Sequence, residues 1–225
     1  MKQAIKTYNL YHSIWDKLIF GLLVPIVIII VHVVITLGLK EGAFAITIIY
    51  TMMAEIIRDY FTFNGSYCKE THNTILRSAF WGKKLFLKGI MQEHARNLAH
   101  YVILIGICSC ITAYINEYDP YYIPIKVIIV LIAYSMNTLA VNVLRYFDYF
   151  AIYPLISTPF VIIAAIPISL LITTGIRLSA GLVILFVILA LTLAVIVTIL
   201  SYLHASLCYD KSFVDISSKR SRRKN

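Results

Sequence analysis

At 225 residues, with 60% hydrophobic and only 14% charged residues, the chain has a mean hydropathy of +0.82 and falls outside the range of soluble globular domains. A formal net charge of +9 would suggest nucleic acid for a soluble domain. In a membrane protein it acquires meaning only when each cation is assigned to a side of the bilayer.

A bilayer core of about 30 Å takes roughly 20 apolar residues as a helix, and a spanning segment must satisfy its own backbone hydrogen bonds. The expected fold is therefore an all-α integral membrane protein. The first 17 residues place Ala4, Ile5, Tyr8, Tyr11, Trp15 and Leu18 on one helical face and Lys2, Lys6, Asn9, Ser13 and Lys17 on the other, the pattern of an amphipathic interfacial helix. Apolar runs follow at 18–38 and 42–58. His32 lies in the first and is expected to hydrogen-bond a neighbouring helix. Glu55 and Asp59, one turn apart near Arg58, close the second and are expected in an interfacial salt bridge.

The long loop 59–97 comes next. "KETHNTILRS" can form a short helix, "WG" at 81 and 82 marks a break, and from Lys83 a helical pattern leads straight into the third run. Lys84, Lys88, Gln92 and Arg96 share one face of that pattern, and Leu87, Ile90, Met91 and Leu98 share another. The remaining spans are expected at 98–116, 124–143, 150–175 and 178–203, making six in a transmembrane domain of 18–208, followed by a basic tail at 209–225. His100 and His204 near helix ends are expected to snorkel to water. In the fourth span Ser135, Asn137, Thr138 and Asn142 need interhelical or cavity partners, and are candidates for lining a pathway. Pro154, Pro159 and Pro167 make the fifth span prone to kinks.

With six spans, 17 of the 20 Lys and Arg fall on one side, leaving Lys40, Lys126 and Arg177 on the other. The positive-inside rule then puts both termini and the 59–97 loop in the cytoplasm of a plasma-membrane protein. The tail "KRSRRKN", directly after a span, reads as pairing with anionic membrane lipid, and no nucleic acid is expected as a partner. Cys68, Cys108, Cys110 and Cys208 lack zinc spacing and read as free thiols. The chain has no H-E-x-x-H, no G-x-S-x-G and no paired intramembrane aspartates, so no catalytic residue, metal site or enzyme activity is expected.

The stretch "LRSAFWGKKLFLKG" before the third span is similar to one found in ABC-2 type permeases, the membrane subunits of bacterial ABC exporters. Leu76, Ser78, Gly82, Lys83, Lys84 and Lys88 match by position, and Phe80 or Trp81 stands where that family carries proline. The layout of the whole chain resembles the same family, whose members have six spans, an amphipathic elbow helix before the first, and a cytoplasmic coupling helix between the second and third. The resemblance implies that Leu76, Arg77, Ser78, Phe80, Trp81, Lys83, Lys84 and Lys88 form a coupling loop for a separate cytoplasmic ABC ATPase subunit. It further implies a homodimer or a pair of related permeases, and outward transport of a peptide, antibiotic or lipid-like molecule. No G-x-x-x-x-G-K-[ST] loop occurs in this chain, so no cofactor is expected on it and ATP would be bound by the partner. The alternative is a non-transporting accessory or immunity protein that acts through the same loop.

Overall fold

A computed structural model describes residues 12–60, 62, 80–116, 122–144, 152–173, 179–207 and 209; among them every regular element is helical and none is a strand. Helix α1 runs Ile14–Leu39, α2 Ala43–Asp59, α3 Gly82–Asn116, α4 Tyr122–Leu144, α5 Ile152–Thr173 and α6 Ala180–Leu207. Four of these, α1, α3, α4 and α6, are long and apolar enough to cross a membrane. Such helices identify a membrane protein.

Helix α1 starts at a cap in which the Ser13 hydroxyl accepts the Asp16 N–H at 3.1 Å. It widens into a π-helical turn over Ile19–Leu23 before resuming as α-helix at Val24. The cause is Pro25, which has no N–H to donate and whose ring crowds the carbonyl four residues back, at Gly21. Residues 14–17, read above as part of an interfacial helix, thus belong to α1 itself; residues 1–11 lie outside the described segments. Only a narrow stripe of α1, with Ile28, His32 and Thr36 at steps of four, is turned inward. The rest presents Ile26, Val27, Ile30, Val34 and Leu37 outward. Lys40, at φ 49°, ends the helix, and a 3-10 turn over Lys40–Gly42 reverses the chain into α2.

The bundle is built around α4, which packs on α2, α3, α5 and α6. Its Ile128, Ile129, Ala133, Ala140 and Val141 meet Phe44, Ile48, Met52 and Ile56 of α2, Tyr101, Ile105 and Cys108 of α3, Val161 and Ala164 of α5, and Ala190 and Ala194 of α6 in one core. Ala190, Ala194, Val197, Ser201 and Ala205 make a small-residue seam along α6. Small side chains let backbones approach closely, which in lipid replaces the missing hydrophobic drive with van der Waals contact. Helix α3 is 35 residues long, about 52 Å at 1.5 Å per residue, against a bilayer core of about 30 Å. Its first turns are held to the end of α6 by a second cluster of Phe86, Leu87, Ile90, Ala205 and Tyr209.

Candidate functional site

The start of α3 bears an exposed aromatic and basic surface. Phe80 and Trp81 precede the helix, 93% and 57% exposed, with their rings edge to face at 5.3 Å. Lys84 Nζ lies 5.0 Å from the Trp81 ring centre, and Lys83 and Lys88 are exposed beside it. The opposite face, Phe86, Leu87 and Ile90, is buried on α6, so this surface has a fixed orientation. Leu76, Arg77 and Ser78 of the expected coupling loop lie outside the described residues. Met91, placed on the apolar face by the sequence pattern, is instead 39% exposed.

One to three turns further along α3 is a cluster of charges that joins three elements. Arg58 of α2 is 1% exposed and grips Asp16 of α1 with two parallel bonds, Nε to Oδ1 and Nη2 to Oδ2, each 3.0 Å. This fork geometry is the strong form of a charge-assisted pair. Arg58 Nη1 reaches Glu93 of α3 at 3.4 Å. Arg96 donates from Nε to the same Glu93 carboxylate at 3.0 Å, and also pairs with Glu55 of α2. His100, expected to snorkel to water, is instead half-buried and bonded to Glu55. His12 closes the ring, with Nδ1 2.6 Å from Asp16 Oδ2 and Nε2 3.2 Å from Glu93 Oε2.

The carboxylates Asp16, Glu55 and Glu93 outnumber the guanidinium groups of Arg58 and Arg96, and His12 lies against two of those carboxylates. Asp16, Glu55 and Glu93 supply three negative charges, Arg58 and Arg96 two positive ones, and both His12 nitrogens face carboxylates. Burial alone would push the His12 imidazole down, but the hydrogen bonds to Asp16 and Glu93 and the Glu93 charge outweigh burial and the nearby Arg58 guanidinium, and raise it above 6.5. A raised value means that His12 stabilises the fold fully below 6.5 and that this contribution is lost as pH rises through the higher folded value. The thermal stability of the purified chain should therefore fall as the pH rises above about 6.5. His12→Gln should flatten that slope.

The expected salt bridge near Glu55, Asp59 and Arg58 exists, with different pairing. Glu55 takes Arg96 and His100, while Arg58 takes Asp16 and Glu93. Sequence reasoning missed His12, Asp16 and Glu93, and placed Arg96 on one face with Lys84, Lys88 and Gln92 without a partner for it. Two signals were available: the Ser13-x-x-Asp16 cap and the Glu93/Arg96 pair at i,i+3.

Deeper polar residues pair between helices. His32 meets Thr47 of α2 at 2.7 Å and Thr112 of α3 at 2.9 Å, as expected of a histidine bonded to its neighbours. Thr47 donates its own hydrogen to the Ala43 carbonyl, so His32 Nδ1 is the donor toward Thr47. His94 of α3 lies 3.0 Å from Ser201 of α6, Tyr134 pairs with Thr198, and His204 donates to Asn142 at 3.0 Å. Asn142 thus has an interhelical partner, and His204, expected at water, is taken up by it. Ser135 turns back to the Leu131 carbonyl of its own helix. Asn137 and Thr138 are fully buried, and neither the Asn137 amide nor the Thr138 hydroxyl has a hydrogen-bond partner among the described residues. Cys108 is a buried free thiol and Cys110 an exposed one.

Fold and site together define a helical membrane protein with a charge cluster at one end of its bundle and an exposed basic surface continuing from it. No family model, no curated protein and no solved structure matches the chain.

Proposed function

We propose that this chain is the six-span permease subunit of an ATP-driven exporter of the ABC-2 type, with both termini in the cytoplasm. The observation that carries the reading is the continuity of α3. One rigid helix bears the exposed Trp81, Lys83, Lys84 and Lys88 surface at its start and Glu93 and Arg96 in its middle. A cytoplasmic ATPase subunit gripping the first would pull directly on the charges that hold α1 and α2.

Geometry supports α2 as a span although it has only 17 residues. It leaves α1 at the Lys40–Gly42 turn and returns alongside it until Arg58 meets Asp16, near the first residue of α1. A helix that retraces a span also crosses, and 17 residues lie at the short end of the workable range. Helix α5 supplies the sixth span with Ile152–Thr173. Asn137 and Thr138 then stand as pathway residues, because amides and hydroxyls without partners in hydrocarbon call for water or substrate. A homodimer or paired permease encloses that pathway, and the substrate is a peptide, antibiotic or lipid-like molecule. Purified from its native host in mild detergent, the tagged chain should bring down a nucleotide-hydrolysing subunit. Recovery of the intact chain alone, without ATPase activity, would sink the proposal.

A further inference from the structure

From Ile14 to Val27 no residue of α1 is buried. Ile14, Trp15, Leu18, Leu22 and Leu23 are all exposed, and the inward stripe begins at Ile28. These first turns are therefore not packed on the bundle by apolar side chains. They reach it through charged ones, Asp16 to Arg58 of α2 and the adjoining His12 to Glu93 of α3. Between them and the packed stripe lies the π-turn Ile19–Leu23, which interrupts the regular hydrogen-bond ladder, and a Cβ built at Gly21 in that turn meets no atom within 4 Å. The start of α1 is a short arm on a loosely surrounded joint.

The tie to α3 needs a proton. His12 Nε2 lies 3.2 Å from Glu93 Oε2, a buried oxygen with no hydrogen-bond partner among the described residues, and Nδ1 lies 2.6 Å from Asp16 Oδ2. Arg58 Nη2 stands 3.3 Å from the same Nδ1. The charged groups that face His12 thus come from three helices: Asp16 in the turn that follows it, Arg58 on α2, and Glu93 on α3, whose other oxygen binds Arg96, itself shared with Glu55. The imidazolium presents an N–H to both carboxylates at once. Neutral imidazole has one N–H, so in either tautomer a nitrogen lone pair faces a carboxylate oxygen. The Nδ1 contact is the shorter and keeps the hydrogen, which leaves Nε2 opposed to Glu93 and the contact between the arm and α3 repulsive.

We infer that the start of α1 is a pH-operated latch, closed on α3 while His12 carries both protons and opening about the π-turn when one of them leaves. This inference is independent of the transport reading. The His12 imidazole, raised above 6.5, places the opening at higher pH than that. Spin labels on Ile14→Cys and Ala95→Cys, exposed positions on α1 and α3, report the gap in the full chain with its four native cysteines replaced by alanine. Distances between the labels would be measured by double electron–electron resonance in detergent from about pH 6 to 9, a range that carries a histidine from charged to neutral. The open-to-closed ratio should rise about tenfold, the low end for losing a hydrogen bond to a charged group. A second pair, Ala95→Cys with Val143→Cys on α4, should keep its distance throughout, and His12→Gln should hold one open fraction at every pH. An α1–α3 distance that does not change with pH would overturn the proposal. So would an equal lengthening of the α3–α4 pair, which would mean a general loosening of the bundle, or an undiminished pH response in His12→Gln, which would put the titrating group elsewhere.

Discussion

Arg58→Ala should destabilise the chain by about 3–5 kcal/mol, the cost of removing one partner from a buried ion network. The substitution leaves Asp16 without its two-bond partner and removes one of the two guanidinium groups facing Glu93. These carboxylates cannot turn to water, because Glu93 is 2% exposed and Asp16 12%. Arg58→Lys should restore little, since an ammonium cannot reproduce the planar fork that spans both Asp16 oxygens. Unfolding in detergent followed by helical circular dichroism measures the loss, and a change below about 1 kcal/mol would show that the network is as weak as an exposed surface pair. Replacing Arg58 and Asp16 together by apolar residues should cost less than Arg58→Ala alone, because one positive and one negative charge leave together while Glu93 keeps Arg96 and His12.

Phe44→Ala has the second largest expected effect, about 2–3 kcal/mol, below the soluble-protein range because lipid is as apolar as the core and only packing is lost. Phe44 is fully buried, meets the His32 ring edge-on at 4.9 Å, and carries the Lys126 ammonium on its face. Its removal leaves a cavity and takes away the ring against which the Lys126 ammonium is packed. The same unfolding measurement reports the first loss. Greater solvent protection of the Lys126 amine against acylation in the variant than in wild type would contradict the second, which predicts more rapid modification.

Hydropathy located the helices because each is a run of Ile, Leu and Val bounded by charge or by Gly and Pro, and the observed ends differ from the expected ones by a few residues. Where the difference is larger, at α3, the sequence pattern itself ran helically from Lys83 into the third span. The polar residues were legible in proportion to how apolar their surroundings are. Glu55, Arg58 and His32 stand out in runs of Ile and Val, and all three proved to be paired between helices. His12, Asp16, Glu93 and Arg96 lie in stretches already rich in charge, where periodicity gives a polar face but not what that face meets. Only the packing of α1 and α2 against α3 turns them inward. Asn137 and Asn142 look alike in sequence, yet the second bonds His204 of α6 and the amide of the first has no hydrogen-bond partner among the described residues.

In the proposed exporter, the exposed start of α3 docks an ATPase subunit. The direct test is Lys83→Glu combined with Lys84→Glu, two exposed residues whose reversal leaves the core and the charge cluster untouched. ATPase activity co-purifying with the tagged chain should disappear in this variant while its unfolding midpoint stays at the wild-type value. Full ATPase activity retained by the doubly reversed chain would contradict the claim.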